Sequence, residues 1–216
     1  MRHWNVSCIV AGLLALCSTA PASTFIFNTD PFAGTSVLTA PGRQVVAGEE
    51  FISFNIATDV FSLDSSVFGV GDTVRFANGP VSAVPANANV VVLETFDNDN
   101  NLGTPFGAPQ AADLIASRIT NPGPGFFIYF NQSLNLARLV YSTDLSSTDS
   151  DLKILARMLN LFGDEGKNAL PGFTAANFEF TTSAAGAPEP SAFIMIAGGL
   201  LLVAGARLTR RRRTQS

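Results

Sequence analysis

The sequence predicts a mainly β body, arranged as an antiparallel β-sandwich with one or two short α-helices. Short apolar runs rich in Phe, Val and Ile recur along the chain, and turn-forming residues separate them at intervals of about eight to twelve positions. Two further segments space their apolar residues as an α-helix does. Hydrophobic residues make up 47% of the chain and charged residues 14%, a composition too apolar for a disordered protein.

The first 22 residues have the features of a secretory signal peptide. A positively charged start precedes a mostly apolar stretch at residues 9–17, and Ala20 and Ala22 are small residues at the two positions that signal peptidase reads. Cleavage is therefore predicted before Ser23. Nine apolar residues fall far short of the ~30 Å membrane core, so a permanent anchor is not expected here. A lipoprotein signal with lipid attached at Cys17 is the alternative.

Removal of this segment would change the chemistry open to the protein. The single His, the single Trp and both Cys of the chain lie within it, at His3, Trp4, Cys8 and Cys17. The mature chain would then have no Ser-His-Asp or Cys-His catalysis, no disulfide and no His- or Cys-ligated metal. Residues 23–187 carry 16 acidic and 7 basic side chains, a net charge of −9 that argues against nucleic acid as a partner.

The body itself, residues 23–183, is predicted to consist largely of strands. The predicted strands of its first half are residues 25–27, 45–46, 51–56, 61–68, 74–76 and 90–93. The run at 90–93 is apolar throughout, which is typical of a strand covered on both faces. Residues 126–131 and 136–141 are predicted to pair as a hairpin around the polar segment 132–135.

Two segments of the body are predicted to be helical. Residues 111–119 follow Pro109 and form the shorter one. The other covers residues 151–162, with Thr148 and Asp151 spaced as in a capping box. Its apolar residues recur at helical spacing: Leu152, Leu155, Met158, Leu159 and Phe162. This apolar face is expected to pack in the core.

One loop of the body is rich in oxygen ligands. Asp97, Asp99 and Asn101 match the first, third and fifth positions of an EF-hand loop. Leu102 and Ala108 stand where that loop requires Gly and a bidentate Glu, so an EF-hand is excluded. A weak Ca²⁺ site and a polar surface loop both remain open. No other cofactor is predicted.

Other candidate chemistry in the body is sparse. Glu49 and Glu50 are adjacent carboxylates, but no pair is singled out as the two that a glycoside hydrolase needs. Tyr129 and Tyr141, on the two hairpin strands, are the aromatic side chains with a polar group that would remain after processing. Exposed beside Asn and Asp on one sheet face, they would favour polysaccharide binding.

The carboxyl terminus has a specific three-part order. Pro188-Glu189-Pro190 ends a small-residue linker at residues 184–190, and a predicted membrane helix follows at residues 191–208. Residues 209–216 form a basic tail. Its arginines, together with the one at the end of the helix, are expected to stay on the cytoplasmic side: Arg207, Arg210, Arg211, Arg212 and Arg213. The body would therefore face outward.

This tail resembles the PEP-CTERM sorting signal, which is also called an ice-binding protein C-terminal domain. The resemblance implies recognition by an exosortase, a membrane protease-transpeptidase that cuts near the tripeptide. It also implies a Gram-negative bacterium that makes exopolysaccharide, often in a biofilm. The chain would pass through an inner-membrane-anchored intermediate to the cell surface or the extracellular space. An ordinary single-pass anchor is the alternative for the tail.

Three functions follow from these features. The first is a non-enzymatic, exosortase-sorted surface or matrix protein, with signal peptidase and exosortase as partners and exopolysaccharide as its surroundings. The second is a polysaccharide- or calcium-binding surface module on the same scaffold. The third, and the weakest, is a hydrolase that uses carboxylates alone.

Overall fold

The computed structural model describes residues 21–101 and 103–182, and within them ten β-strands form two sheets. The strands are β1 Thr24–Phe27, β2 Val45–Val46, β3 Glu50–Ile52, β4 Val60–Asp64, β5 Phe76–Gly79, β6 Val90–Leu93, β7 Gly125–Asn131, β8 Leu136–Ser142, β9 Leu152–Phe162 and β10 Phe178–Thr181. The α-helices of this part of the chain are α1 Ser65–Phe68, α2 Ala108–Ala116 and α3 Gly163–Ala169. The body is therefore mainly β with a few short helices, as predicted.

The larger sheet has seven strands, in the order β2–β9–β8–β7–β6–β5, and β3 also pairs with β9. The smaller sheet has the order β1–β4–β10. Only β7, β8 and β9 pair in an antiparallel way, and the other six pairings are parallel. The predicted antiparallel arrangement is thus wrong for most of the body. Parallel neighbours need long crossover connections, and most strands here are joined by such connections rather than by tight turns.

The larger sheet is covered on both faces, because its central strands are apolar on both. On one face it packs against the smaller sheet, through Phe126, Ile128, Leu139 and Tyr141 facing Phe61, Leu63 and Phe178. On the other face it packs against α2, through Phe127, Tyr129, Val140 and Ile154 facing Ala111, Ala112 and Ile115. Successive side chains of a strand point to opposite faces, so every residue of β7 is buried. All four residues of β6 are buried as well, which confirms the prediction that both faces of this strand are covered.

The predicted hairpin is confirmed. Strands β7 and β8 are antiparallel from Gly125–Ser142 to Asn131–Leu136, one residue longer at one end than predicted. The turn at residues 132–135 places Asn135 in the left-handed region, with φ of 54°. Asn tolerates this conformation because its short polar side chain bonds locally.

The predicted helix over residues 151–162 is wrong, since this segment is strand β9. Its residues Leu152, Ile154, Ala156 and Met158 also fit a two-residue period, and all four are buried. Two irregularities in its register with β8 change which side chains face each side of the sheet. Apolar residues at both even-numbered and odd-numbered positions of β9 are therefore buried. A strand here pairs the open edge of β8, which a helix would leave unsatisfied. The Asp151 carboxylate accepts the backbone N–H of Gln44 at 2.8 Å instead of capping a helix.

The shorter predicted helix is present as α2, shifted a few residues toward the amino terminus. Pro109 lies in its first turn, where the missing N–H has no cost. Two predicted strands are shorter than expected. The run at 51–56 is a strand only to Ile52, and the run at 61–68 ends as a strand at Asp64, whose carboxylate accepts the N–H of Ser66 at the start of α1.

No helix in the described ranges is long and apolar enough to cross a membrane. The predicted membrane helix at 191–208 lies outside those ranges, as do the linker at 184–190, the basic tail at 209–216 and residues 1–20 of the predicted signal.

Candidate functional site

A cluster of buried charges, formed by Glu49, Arg138 and Arg157, lies on the face of the larger sheet that also packs against α2. Glu49 Oε1 accepts hydrogen bonds from Arg138 Nη2 and Arg157 Nε. The Glu49 side chain is only 4% exposed and that of Arg138 is 11% exposed, so both charges are largely removed from water. In the part of the chain that the structure describes, the buried Nε of Arg138 has no hydrogen-bond partner. The buried positive charge of Arg138 is therefore compensated mainly by the Glu49 carboxylate.

Strand register brings this cluster together. Phe51 of β3 pairs with Arg157 of β9, Arg157 pairs with Arg138 of β8, and Arg138 pairs with Tyr129 of β7. The four side chains form a row across four strands, with the Arg157 guanidinium 5.2 Å from the centre of the Phe51 ring. Phe51 is 64% exposed, so the row runs from the core to the sheet edge.

The surroundings of Glu49 hold it in its charged form. Burial opposes ionisation, but hydrogen bonds from its own backbone N–H, from Arg157 and from the Gly48 N–H outweigh it, together with the charge of Arg138. These lower the pKa of Glu49 to about 2. The cluster is thus a permanent ion pair at neutral pH rather than a proton donor or acceptor.

Both tyrosines that were candidates for sugar binding are buried. Tyr129 is fully enclosed, and its hydroxyl accepts a hydrogen bond from Asn131 Nδ2 at 3.0 Å. The Tyr141 hydroxyl donates to the Phe68 carbonyl at 2.9 Å on the opposite face of the sheet. Burial raises the pKa of Tyr141 to about 12. These rings are core side chains, so they do not form the exposed platform that polysaccharide binding would require.

A cavity of about 210 Å³ lies on the other face of the larger sheet, against the smaller sheet. Phe27, Phe68 and Leu155 line its apolar part, and Asp30, Glu50 and Lys153 line its polar part. Lys153 Nζ donates to the Ala47 carbonyl at 2.8 Å.

The adjacent carboxylates Glu49 and Glu50 cannot act together. Glu49 joins the charge cluster on the α2 face, whereas Glu50 lines the cavity on the smaller-sheet face. This separation follows from the alternation of side chains along an extended chain. Glu50 shares its cavity with Asp30 instead, and both side chains are exposed to solvent.

The oxygen-rich loop satisfies its own polar groups. Asp97 Oδ1 accepts from the Asp99 N–H, Asp99 Oδ1 from the Asn101 N–H, and Asn101 Oδ1 from the Gly103 N–H. The Thr104 hydroxyl donates to the second carboxylate oxygen of Asp99 and is the main reason that the pKa of Asp99 is lowered. Within residues 21–101 and 103–182, no three His, Cys, Asp or Glu side chains are grouped to hold a metal. Ca²⁺ binding by this loop stays a prediction.

The predicted cleavage site lies at the start of the folded body. The Ser23 N–H donates to Asp59 Oδ1 at 2.9 Å, and the Val60 N–H donates to the Ser23 carbonyl at 3.0 Å. Ala22 is exposed and Ala20 lies outside the described residues. The sorting motif Pro188-Glu189-Pro190 and the arginines of the tail also lie outside them.

Sequence reasoning missed both the charge cluster and the contact of Ser23 with Asp59. Arg138 could have indicated the charge cluster, because a charged residue inside the apolar run of a predicted hairpin strand implies a buried partner of opposite charge. The second joins residues 36 positions apart and leaves no local pattern.

Comparisons with protein-family models, with curated proteins and with solved structures found no match to this chain. Its function is therefore inferred from its own residues.

Proposed function

We propose that the chain is an exported, exosortase-sorted protein of the cell surface or extracellular matrix of a Gram-negative bacterium, with a body that is not an enzyme. The observation that carries this proposal is the order of the tail: Pro188-Glu189-Pro190, an uncharged apolar run, and Arg210 to Arg213. The predicted signal peptide supports it, because export followed by a stop-transfer helix leaves the body outside.

The limits of the folded body are compatible with processing at both ends. Strand β1 begins at Thr24, one residue after the predicted cleavage, and β10 ends at Thr181, before the linker at 184–190. Both strands flank β4 in the smaller sheet. Cuts before Ser23 and near the tripeptide would thus leave intact all ten strands of the described residues.

The parallel direction of β1 and β10 places the start and the end of the folded body at opposite ends of the smaller sheet. Strands β1 and β10 run parallel to β4, with Thr24 beside Val60 and Thr181 beside Asp64. The chain therefore enters the smaller sheet at one end and leaves it at the other.

The two alternatives have less support. The polysaccharide-binding module loses its aromatic platform, because Tyr129 and Tyr141 are buried. The carboxylate hydrolase would use Asp30 and Glu50, which line one cavity. Both side chains are exposed to solvent, and no contact in the described residues singles them out as a catalytic pair.

Replacing Pro188, Glu189 and Pro190 together with Ala is expected to block processing while membrane insertion continues. Insertion depends on the apolar run and the arginines, whereas recognition needs the extended backbone that the two prolines impose. In a host that has an exosortase, an immunoblot should find this variant at full length in the membrane fraction and the parent in the processed form.

The matched control replaces Arg210 to Arg213 with Ser. This change leaves the tripeptide intact but removes the cytoplasmic charges, so mislocalisation is expected rather than accumulation of the uncut protein. If the triple-Ala variant is cut and released like the parent, the tail is an ordinary anchor and the sorting proposal is wrong.

A further inference from the structure

Asp59 is a buried carboxylate that has no cationic partner among the residues that the structure describes. It is 4% exposed and directly precedes β4. Its Oδ1 accepts from the Ser23 N–H at 2.9 Å and from the Thr58 hydroxyl at 3.1 Å, and its Oδ2 accepts from the Asn55 N–H at 2.8 Å. The ion pairs of the described residues join other groups, none of them Asp59.

Hydrogen bonds from neutral groups offset only part of the free-energy cost of burying the Asp59 carboxylate. Burial opposes its ionisation, but the hydrogen bonds from Asn55, Ser23 and Thr58 outweigh this and lower the pKa of Asp59. Asp59 is therefore negatively charged at neutral pH, and hydrogen bonds from neutral groups offset its desolvation less well than a cation would.

Signal cleavage would supply that cation at the same position. Hydrolysis of the bond between Ala22 and Ser23 consumes one water, leaves a carboxylate on Ala22 and leaves an amine on Ser23 that takes up a proton. The nitrogen atom that now donates a neutral hydrogen bond to Asp59 thereby becomes an ammonium.

We propose that the mature amino terminus is the counter-ion of Asp59, and that the Ser23 ammonium pairs with the Asp59 carboxylate and fastens β1 to β4 after export. This inference rests on the proposed cleavage before Ser23. Strand β1 is a four-residue edge strand that pairs with β4 alone among the described strands, and Ser23 directly precedes it, so a bond at Ser23 holds the start of the strand. The unprocessed chain has the hydrogen bond but lacks the ion pair.

The proposal fixes the position of the cut closely. Thr24 already pairs with Val60, so cleavage one residue later would remove the nitrogen that contacts Asp59. Cleavage earlier would place the charge on a residue that lies beyond that contact. Only a chain that starts at Ser23 puts its ammonium within 2.9 Å of the carboxylate without moving the backbone.

A four-way comparison of stability tests this pair. Residues 23–216 are released in detergent from a cleavable fusion so that Ser23 is the first residue, and the same chain is released with residues 20–22 retained, so that it begins with the primary amine of Ala20. Each is made with Asp59 and with Asp59→Asn, which keeps the shape of the side chain and removes its charge. Unfolding in denaturant is followed by near-ultraviolet circular dichroism of the buried tyrosines.

Asp59→Asn is expected to lower the unfolding free energy more in the chain that starts at Ser23, an extra change of roughly tenfold in the unfolding equilibrium constant. The extra effect should be present near neutral pH and should disappear as the pH rises well above 8, where α-amino groups lose their charge. It should also disappear at acidic pH once Asp59 is protonated. Apart from the Ser23 nitrogen, the described groups that hydrogen-bond to the carboxylate are the Asn55 N–H and the Thr58 hydroxyl, which do not titrate in this range, so the profile is assigned to the terminal amine and Asp59. Equal effects of the substitution in both chains would overturn the proposal.

Amine reactivity gives a second measurement that holds even if Asp59→Asn folds poorly. The chain from Ser23 contains three amines, the terminal one and those of Lys153 and Lys167. Acylation at neutral pH, mapped by mass spectrometry, should be roughly tenfold slower at the terminal amine of the Ser23 chain than at that of the chain starting at Ala20, which is also a primary amine, with the lysines as internal references. Equal rates would contradict the pair. Because these chains are cut artificially, this failure is distinct from a failure of natural cleavage, which sequencing of the exported protein would reveal.

Discussion

Glu49→Gln is expected to destabilise the body by about 3–5 kcal/mol, because it leaves the guanidinium groups of Arg138 and Arg157 largely buried without a compensating charge. Glu50→Gln is the matched control. It changes the neighbouring residue in the same chemical way at an exposed position, and a change within about 0.5 kcal/mol is expected there. Denaturant unfolding of the two variants and the parent measures the difference. A loss at Glu49 as small as the one expected at Glu50 would show that the cluster adds little stability.

The same cluster gives the parent a specific response to acid. The pKa of Glu49 is lowered from 4.5 to about 2, so its contribution is complete above pH 4.5 and is lost as the pH falls to 2. A lowering of this size corresponds to about 3 kcal/mol. Glu49→Gln should lack this part of the acid dependence, whereas Glu50→Gln should keep it.

Phe54→Ala is expected to cost about 3–5 kcal/mol, because it opens a cavity in a cluster of aromatic rings. Phe54 is fully buried and stacks on Phe61, with ring centres 4.2 Å apart and planes 9° apart, and it also contacts Phe173 at 5.5 Å. It lies outside any strand, and the Asn160 side chain holds its backbone N–H and carbonyl at 2.8 and 2.9 Å.

Phe51→Ala, three residues earlier, is the control for Phe54→Ala. Phe51 is 64% exposed, so its removal should cost less than about 1 kcal/mol. Thermal unfolding of both variants decides between a packed aromatic core and a loose one. A small loss at Phe54 would mean that the smaller sheet is not held by this stack.

The sequence pattern predicted the elements whose partners are local and failed where partners are distant. The hairpin of β7 and β8 was predictable because a short polar turn joins two apolar runs, and β6 because its run is apolar on both faces. The apolar residues of β9 satisfy a helical and a two-residue period at once, and only pairing with β8 decides between them. The parallel partners of β4 come from opposite ends of the body, so no local signal predicts them.

The candidate sites divide in the same way. The turn-forming nature of residues 97–101 is a local property, and the hydrogen bonds of the loop agree with it. Whether Tyr129 is exposed depends on α2, which covers it from another part of the chain. The proximity of Glu49 to Arg138 depends on the register of three strands, two of which were not predicted correctly.

The mass of the intact exported protein tests the central proposal most directly, because a single spectrum reports both ends of the chain. A host with an exosortase should yield a product that begins at Ser23, ends near Pro188-Glu189-Pro190 and lacks residues 191–216. A product that retains Arg210 to Arg213, or one that begins with a lipid-modified Cys17, would contradict the proposal that this protein is exported by signal cleavage and sorted by its tail.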